Sequence, residues 1–143
     1  MSISEDKLFA SEVVPYKILV LCIGNTCRSV VYESLFNKIN KKPNMKIYSA
    51  GIRASGKKPS KKTLKVLLIN KIPVNKNKIS TKIEELKDNR YDEVILLDNT
   101  IVFNSLDLIA KKVKRYNLED PYAKNLKAYK KTYKEIKKIL INV

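Results

Sequence analysis

The sequence predicts a single α/β domain of three layers, in which a four-stranded, twisted, parallel sheet carries helices on both faces. Two observations predict this class. Short runs of consecutive apolar residues alternate along the chain with segments of helical periodicity. Two of those runs, residues 18–21 and 94–97, are apolar at every position, which is typical of strands buried on both faces. The length of 143 residues is sufficient for one domain with one core.

The predicted strands are short and mostly apolar. They cover residues 18–21, 46–49, 94–97 and 113–116. In parallel sheets of this kind, ligands bind beyond the carboxyl ends of the strands. The first strand ends at Cys22, so we expect the chemistry of the protein to lie there.

The predicted helices follow from caps and from apolar residues spaced by three or four positions. Ser29 caps a first helix that carries Val31, Leu35 and Ile39, and Pro43 breaks the chain after it. Three further helices are predicted: one after Ser60 with Leu64, Leu67 and Leu68 on one face, one from Asn99 with Val102, Leu106 and Ile109, and one at the C-terminus with Leu126, Tyr129, Tyr133, Ile136 and Leu140. A short helical segment is predicted from Thr81 to Leu86.

The charge divides the chain in two. Residues 1–15 carry −2 and are predicted to be a mobile N-terminal extension, whereas residues 16–143 carry +18 and form the domain. Of the 30 basic residues, 26 are Lys and 4 are Arg, which argues against sequence-specific reading of nucleic acid. The excess of lysine is either a solvated coat or a field that attracts phosphorylated proteins, nucleic acid or acidic lipid.

The composition excludes several classes of protein. The longest apolar runs are far shorter than the ~20 residues that cross a bilayer, and no secretory signal is recognisable, so we expect a cytoplasmic protein. Two cysteines are too few for a disulfide framework, and without histidine a structural zinc site is not expected. We expect no metal and no other cofactor.

The segment from Cys22 to Ser29 joins the first strand to the first helix and has the features of a phosphate cradle. Such a loop directs backbone N–H groups at one point, and the helix N-terminus favours an anion there. Gly24 is expected to allow a positive φ and Asn25 to tolerate the left-handed region, and Arg28 can bind two phosphate oxygens. Helix dipole and Arg28 favour the Cys22 thiolate, toward which Ser29 can donate a hydrogen bond. The result is a nucleophile at the base of an anion site.

This segment resembles the loop C-x-G-N-x-C-R-S of the low-molecular-weight protein tyrosine phosphatase family, because all six specified positions are filled. The resemblance extends over residues 17–141 and includes Ser49-Ala50-Gly51, Asp98-Asn99 and Asp120-Pro121-Tyr122. It implies a flavodoxin-like, phosphotyrosine phosphatase I-like fold. It also implies an enzyme that removes phosphate from protein side chains, above all phosphotyrosine, through a cysteinyl-phosphate intermediate.

Roles can be assigned to individual residues on this basis. Without histidine, a carboxyl group must protonate the leaving oxygen, and the resemblance implies Asp120. The predicted catalytic residues are Cys22, Arg28 and Asp120, and the predicted phosphate-binding residues are Ile23, Gly24, Asn25, Thr26, Cys27, Arg28 and Ser29. Arg53 and Tyr122 are candidates for the rim of the site. Cys27 either packs beneath the loop or, as in relatives with both cysteines, forms a reversible disulfide with Cys22.

Some positions depart from the family and leave alternatives open. Val30 replaces the usual Pro, and no aromatic residue follows Gly51 before Gly56. Thr26 resembles the bacterial protein-arginine phosphatases, which makes phosphoarginine an alternative substrate. An arsenate reductase would need further cysteines, and a binding module without catalysis would be expected to lose Cys22 or Asp120. The expected partners are phosphorylated proteins and inorganic phosphate or another oxyanion, with the chain acting as a monomer.

Overall fold

The structure is a computed structural model that describes residues 15–75 and 77–141. It confirms the predicted fold class, because four parallel strands form one sheet in the order β2-β1-β3-β4 and three α-helices are present in the described residues. The elements are β1 (Tyr16–Cys22), α1 (Arg28–Ile39), β2 (Met45–Gly51), α2 (Lys61–Ile69), β3 (Arg90–Leu96), β4 (Ile109–Arg115) and α3 (Leu126–Ile141). Single 3-10 turns occur at Ile83–Glu85 and Phe103–Ser105.

The core lies on both faces of the central strand β1, whose side chains alternate between them. Ile18, Val20 and Cys22 face a cluster built with side chains of α1, α2 and α3. Leu19 and Leu21 face a second cluster, which is covered by the segments that contain the two 3-10 turns. The three α-helices of the described residues therefore share one face, and the other face, on which α-helices were also predicted, is covered by the segments with 3-10 turns, whose apolar side chains are sufficient to bury it.

The helix predicted from Asn99 is wrong, and so is the late start of the last strand. Asp98 Oδ1 accepts a hydrogen bond from Thr100 N at 2.8 Å, which closes a turn directly after β3. Only the 3-10 turn Phe103–Ser105 follows. Ile109, which was predicted on a helix, is the first residue of β4 and pairs with Arg90 of β3. Of the three apolar residues that predicted this helix, only Leu106 packs against the second core cluster, whereas Val102 and Ile109 are exposed.

The face of α2 also differs from its prediction. Leu64 and Leu68 are exposed, whereas Thr63, Val66 and Leu67 are buried. Packing against the sheet selects the buried side, and leucines elsewhere on the helix stay outside. The predicted start of this helix after Ser60 is confirmed, and Ser60 is its N-cap, since Ser60 Oγ accepts a hydrogen bond from Thr63 N at 3.2 Å.

Both ends of the chain lie mostly outside the residues that the structure describes. The predicted extension of residues 1–15 lies outside the described residues except for Pro15, and so do residues 142 and 143. Within 15–75 and 77–141, the structure has no helix that is both long and apolar enough to span a membrane.

Candidate functional site

Cys22 is the last residue of β1 and lies at the carboxyl edge of the sheet, where α1 begins six residues later. Its side chain is buried, and its sulfur has two polar contacts. Ser29 Oγ lies 3.0 Å from Cys22 Sγ, and Asn25 N donates a hydrogen bond to Cys22 Sγ at 3.3 Å. Both contacts can stabilise a thiolate at the position predicted for the nucleophile.

Ser29 differs from its prediction in one respect. Cys27, not Ser29, occupies the N-cap position of α1, and it makes no side-chain capping bond. Ser29 lies in the first helical turn instead. Its hydroxyl is therefore available to Cys22 and to Asn25, whose Nδ2 donates to it at 2.6 Å.

Asn25 holds the loop together from inside. It is fully buried and has φ 55°, so the left-handed residue of this loop is Asn25 and the positive φ predicted for Gly24 is wrong. Its Nδ2 also donates to Ser49 Oγ at 3.0 Å, and its Oδ1 accepts from Thr81 N at 2.9 Å. One amide side chain thus fixes the loop against β2 and against the segment after α2.

Gly51 allows the end of β2 to approach the loop. A Cβ atom at this position would lie 2.6 Å from the carbonyl oxygen of Ile23 and 3.0 Å from Asn25 Cβ. The backbone of the same segment binds the loop, because Ile52 N donates to Cys22 O at 3.1 Å and Arg53 N donates to Ile23 O at 2.8 Å. Glycine is required here for close packing of two backbones.

A partly buried pair of charges, Glu33 and Lys78, supports Ser49. Ser49 Oγ donates to Glu33 Oε1 at 2.8 Å, and Lys78 Nζ donates to Ser49 Oγ at 2.8 Å. Lys78 Nζ and Glu33 Oε1 form an ion pair at 3.1 Å, with both side chains less than one-fifth exposed. Glu33 and Lys78 were not predicted as part of the site, because no motif links two positions that are 45 residues apart.

Arg28 is anchored by one of its nitrogens. Nη1 donates to Asp98 Oδ2 at 2.7 Å and to the carbonyl oxygens of Leu118 at 3.0 Å and Leu97 at 3.2 Å. The side chain is 2% exposed, so its charge is held in place by protein groups. Nη2 faces Asp120 Oδ2 at 3.4 Å. This arrangement leaves the pocket side of the guanidinium to bind an oxyanion.

Two carboxylates thus flank Arg28, and their surroundings differ. Asp98 is 14% exposed, and although burial alone would raise its pKa, hydrogen bonds from Thr100 and Arg28 hold that pKa below its usual range. Asp120 is 47% exposed at the mouth of the pocket, and its Oδ1 accepts a hydrogen bond from Tyr122 N at 3.0 Å. Asp98 therefore fixes the arginine, whereas Asp120 faces the space where a substrate would lie.

These residues surround a cavity of about 240 Å³. Its lining consists of Cys22, Ile23, Gly24, Thr26, Cys27, Arg28, Arg53, Ser55, Lys57, Asp120, Tyr122 and Tyr129. The lining thus contains all predicted site residues except Asn25 and Ser29. These two belong to the same loop and support it through their hydrogen bonds. Ser55, Lys57 and Tyr129 were not predicted. Tyr129 was expected only in the core, and it is both 5% exposed and part of this lining.

Cys27 lies beside Cys22 in the same lining but in a different environment. Burial raises the pKa of the Cys27 thiol to about 12. Cys27 is therefore protonated at neutral pH, and the two cysteines are free thiols in this structure. In the residues that the structure describes, no group of three or more Cys, Asp or Glu side chains could hold a metal ion.

The sequence and the structure were compared with known proteins. The family described as "Low molecular weight phosphotyrosine protein phosphatase" matches residues 17–143, while no protein of curated function matches the sequence. A low molecular weight protein tyrosine phosphatase from T. tengcongensis is 26% identical, with a TM-score of 0.74 over 90% of this chain and 99% of that chain.

Two other solved structures show the same fold at lower identity. The YwlE arginine phosphatase from Geobacillus stearothermophilus is 22% identical, with a TM-score of 0.71 over 89% of each chain. An arsenate reductase from Archaeoglobus fulgidus is 24% identical, with a TM-score of 0.73 over 87% of this chain and 96% of that chain. The match of the family model covers nearly the whole described domain. The chain therefore belongs to the low molecular weight phosphotyrosine protein phosphatase family.

Proposed function

We propose that this protein is a cysteine-dependent phosphatase that removes phosphate from phosphotyrosine in proteins. The observation that carries the proposal is the position of Cys22 at the base of a cavity that Arg28 and Asp120 also line. A nucleophile, a fixed cation and an exposed carboxyl are the groups that a cysteinyl-phosphate mechanism requires. The family to which the chain belongs supports the same reaction class.

In the first step, the Cys22 thiolate attacks phosphorus while the bond from phosphorus to the ester oxygen breaks. Arg28 binds two of the phosphoryl oxygens, and protonated Asp120 transfers its proton to the leaving oxygen. In the second step, the Asp120 carboxylate takes a proton from water, which attacks phosphorus and breaks the S–P bond. The thiolate that leaves is stabilised by Ser29 Oγ at 3.0 Å and Asn25 N at 3.3 Å.

Phosphotyrosine fits the lining better than phosphoserine because the cavity has an aromatic wall. Tyr122 is 72% exposed beside Asp120, where its ring can pack against the ring of a substrate. A phosphoserine side chain is shorter and offers no ring for such a contact.

Phosphoarginine is a second candidate, favoured by Thr26, which lines the cavity between Gly24 and Cys27. Its leaving group is a guanidinium, which carries positive charge. The same cavity presents Arg28, Arg53 and Lys57 against the single carboxylate of Asp120, and this balance repels a cation. A neutral phenol experiences no such repulsion, so we place phosphotyrosine first.

The decisive experiment compares phosphate release from three peptides of one sequence that carry phosphotyrosine, phosphoarginine or phosphoserine. We expect hydrolysis of the phosphotyrosine peptide, insensitive to EDTA and abolished in Cys22→Ser, with inorganic phosphate still bound by that variant. Preferred hydrolysis of the phosphoarginine peptide would assign the second candidate. Undiminished hydrolysis by Cys22→Ser would refute the cysteine mechanism for either substrate.

A further inference from the structure

The lining of the cavity carries two cations, Arg53 and Lys57, that the proposed reaction does not use. We propose that Arg53 and Lys57 form a cationic rim that selects phosphorylated segments with carboxylates next to the phosphorylated residue. The inference rests on the proposed function for its substrate class, because it specifies which phosphorylated proteins this site would prefer. It concerns binding and is testable apart from catalysis.

The backbone of this rim is fixed to the loop that carries Cys22. Arg53 N donates to Ile23 O at 2.8 Å, and further along the segment Ser60 N donates to Thr26 O at 3.1 Å. Between them, Lys57 N donates to Ser80 Oγ at 2.9 Å, and Ser80 N returns a hydrogen bond to Lys57 O at 2.7 Å. The rim therefore has a defined position relative to the nucleophile.

The side chains of the rim are exposed and carry unneutralised charge. Arg53 and Lys57 both lie at the surface, and both line the cavity. Across residues 15–75 and 77–141, no carboxylate lies within 4.0 Å of the charged end of either side chain. Lys58, Lys61 and Lys62 follow and are also exposed. The one carboxylate of the lining, Asp120, already faces Arg28.

The lining of the cavity thus combines two kinds of side chain. Asp120, Tyr122 and Tyr129 contribute one carboxylate and two aromatic rings, and Arg53 and Lys57 contribute exposed cations. A phosphorylated side chain that enters the cavity places the neighbouring residues of its own chain at the mouth. Carboxylates there can lie within the Debye length of ~8 Å from the rim, at which attraction survives physiological salt.

Exposed ion pairs of this kind are individually weak, at about 1.5- to 5-fold in affinity for each pair. Two pairs would give a preference of roughly 3- to 20-fold for an acidic segment over a neutral one. The general field of a chain with net charge +16 also attracts acidic peptides. The test must therefore separate two local charges from the overall charge.

The experiment measures binding of two labelled phosphotyrosine peptides by fluorescence anisotropy. One peptide has glutamate at three positions on each side of the phosphotyrosine, and the other has glutamine there. All proteins carry Cys22→Ser, so that binding is measured without turnover. The rim variant adds Arg53→Gln and Lys57→Gln. The matched control adds Lys46→Gln and Lys87→Gln, which remove the same charge from exposed positions near the amino ends of β2 and β3.

We expect the acidic peptide to bind the parent protein 3- to 20-fold more tightly than the neutral peptide. The preference should fall below 2-fold in the rim variant and persist in the control. Equal binding of the two peptides by the parent would overturn the inference, as would an equal loss in rim and control variants. A rim variant that loses only single-stranded oligonucleotide binding would assign the surface to nucleic acid instead.

The hydrolysis and binding experiments distinguish a wrong proposal for the rim from a wrong proposed function. If the unmodified protein hydrolyses no phosphotyrosine peptide, the proposed reaction is refuted, whereas the anisotropy series still decides whether the rim prefers carboxylates. If hydrolysis proceeds but the preference is absent, only the rim is refuted.

Discussion

Replacing Asp98 with asparagine should destabilise the protein because one side chain then has to meet two incompatible demands. Asp98 Oδ2 accepts from Arg28 Nη1 at 2.7 Å, while Oδ1 accepts from Thr100 N at 2.8 Å. Asparagine has one oxygen and one NH₂ group, so a donor must face either Arg28 or Thr100. The substitution keeps the shape of the side chain and changes only its charge and hydrogen bonding.

The size of the effect follows from the partners that remain. Arg28 keeps the carbonyl oxygens of Leu97 and Leu118 and the more distant Asp120, so it is not left without acceptors. The loss is then one hydrogen bond to a charged group, about 1.5–3 kcal/mol. For a domain of this size, that corresponds to a fall in Tm of roughly 5–12 °C.

The effect should depend on pH with a definite sign. The pKa of Asp98 is lowered in the folded protein, so its contribution to stability is complete above the ordinary value of about 3.9. It is lost as the pH falls through the lowered pKa. The difference in unfolding free energy between the wild type and Asp98→Asn should therefore be largest near pH 7 and shrink toward pH 3.

Urea unfolding followed by circular dichroism measures this difference at each pH. The control is Asp107→Asn, which removes the same charge from an exposed carboxylate and should change stability by less than about 0.5 kcal/mol. If the Asp98→Asn deficit is as small as that of the control, or does not change between pH 7 and pH 3, the Arg28–Asp98 contact does not have the role assigned to it.

Three further predictions concern the cavity and its support. Asp120→Asn should slow phosphotyrosine hydrolysis by about 10²–10⁴-fold and nitrophenyl phosphate hydrolysis less, because a nitrophenol leaves without a proton more readily. Equal slowing of phosphoryl transfer from both substrates to Cys22 in single turnovers would contradict the role of Asp120 as general acid. Iodoacetamide at pH 8 should label Cys22 in Cys27→Ser and leave Cys27 unlabelled in Cys22→Ser, since burial raises the pKa of Cys27 to about 12. Comparable labelling of the two cysteines, measured by mass spectrometry, would argue against the burial of Cys27. Gly51→Ala should lower the free energy of chemical unfolding by about 1–3 kcal/mol and reduce activity, because the added Cβ would lie 2.6 Å from Ile23 O. A variant with wild-type stability and turnover would show that the loop can move aside.

The elements that the sequence predicted well are those in which local pattern and tertiary packing agree. The strand at residues 18–21 is apolar throughout because both of its faces are buried, and the spacing of Tyr129, Tyr133 and Ile136 matches the buried side of α3. The segment after Asn99 failed for the opposite reason. The sheet is covered there by Ile101, Phe103, Leu106 and Leu108, whereas two of the residues that gave the helical period, Val102 and Ile109, are exposed, so that period was coincidental.

The residues of the site show the same distinction between what a local pattern reveals and what only folding brings together. The loop from Cys22 to Ser29 is continuous in sequence, so its chemistry could be inferred from residue types and order. Lys57 and Lys78 lie far from that loop in the sequence and come to it only through folding. A chain with 26 lysines gives no local signal that two of them differ from the rest.

Arg28 connects the chemistry of the site to the stability of the fold. Its Nη1 binds carbonyl oxygens at the end of β3 and before Asp120, so the residue joins the start of α1 to two distant segments. Replacing Arg28 or Asp98 removes buried contacts between these segments and should lower stability together with activity. Replacing the half-exposed Asp120 breaks no comparable contact, so its loss should affect the reaction with little effect on folding. A variant that loses activity while keeping full stability therefore identifies a group acting on the substrate, and we expect Asp120 to belong to that class and Asp98 to the other.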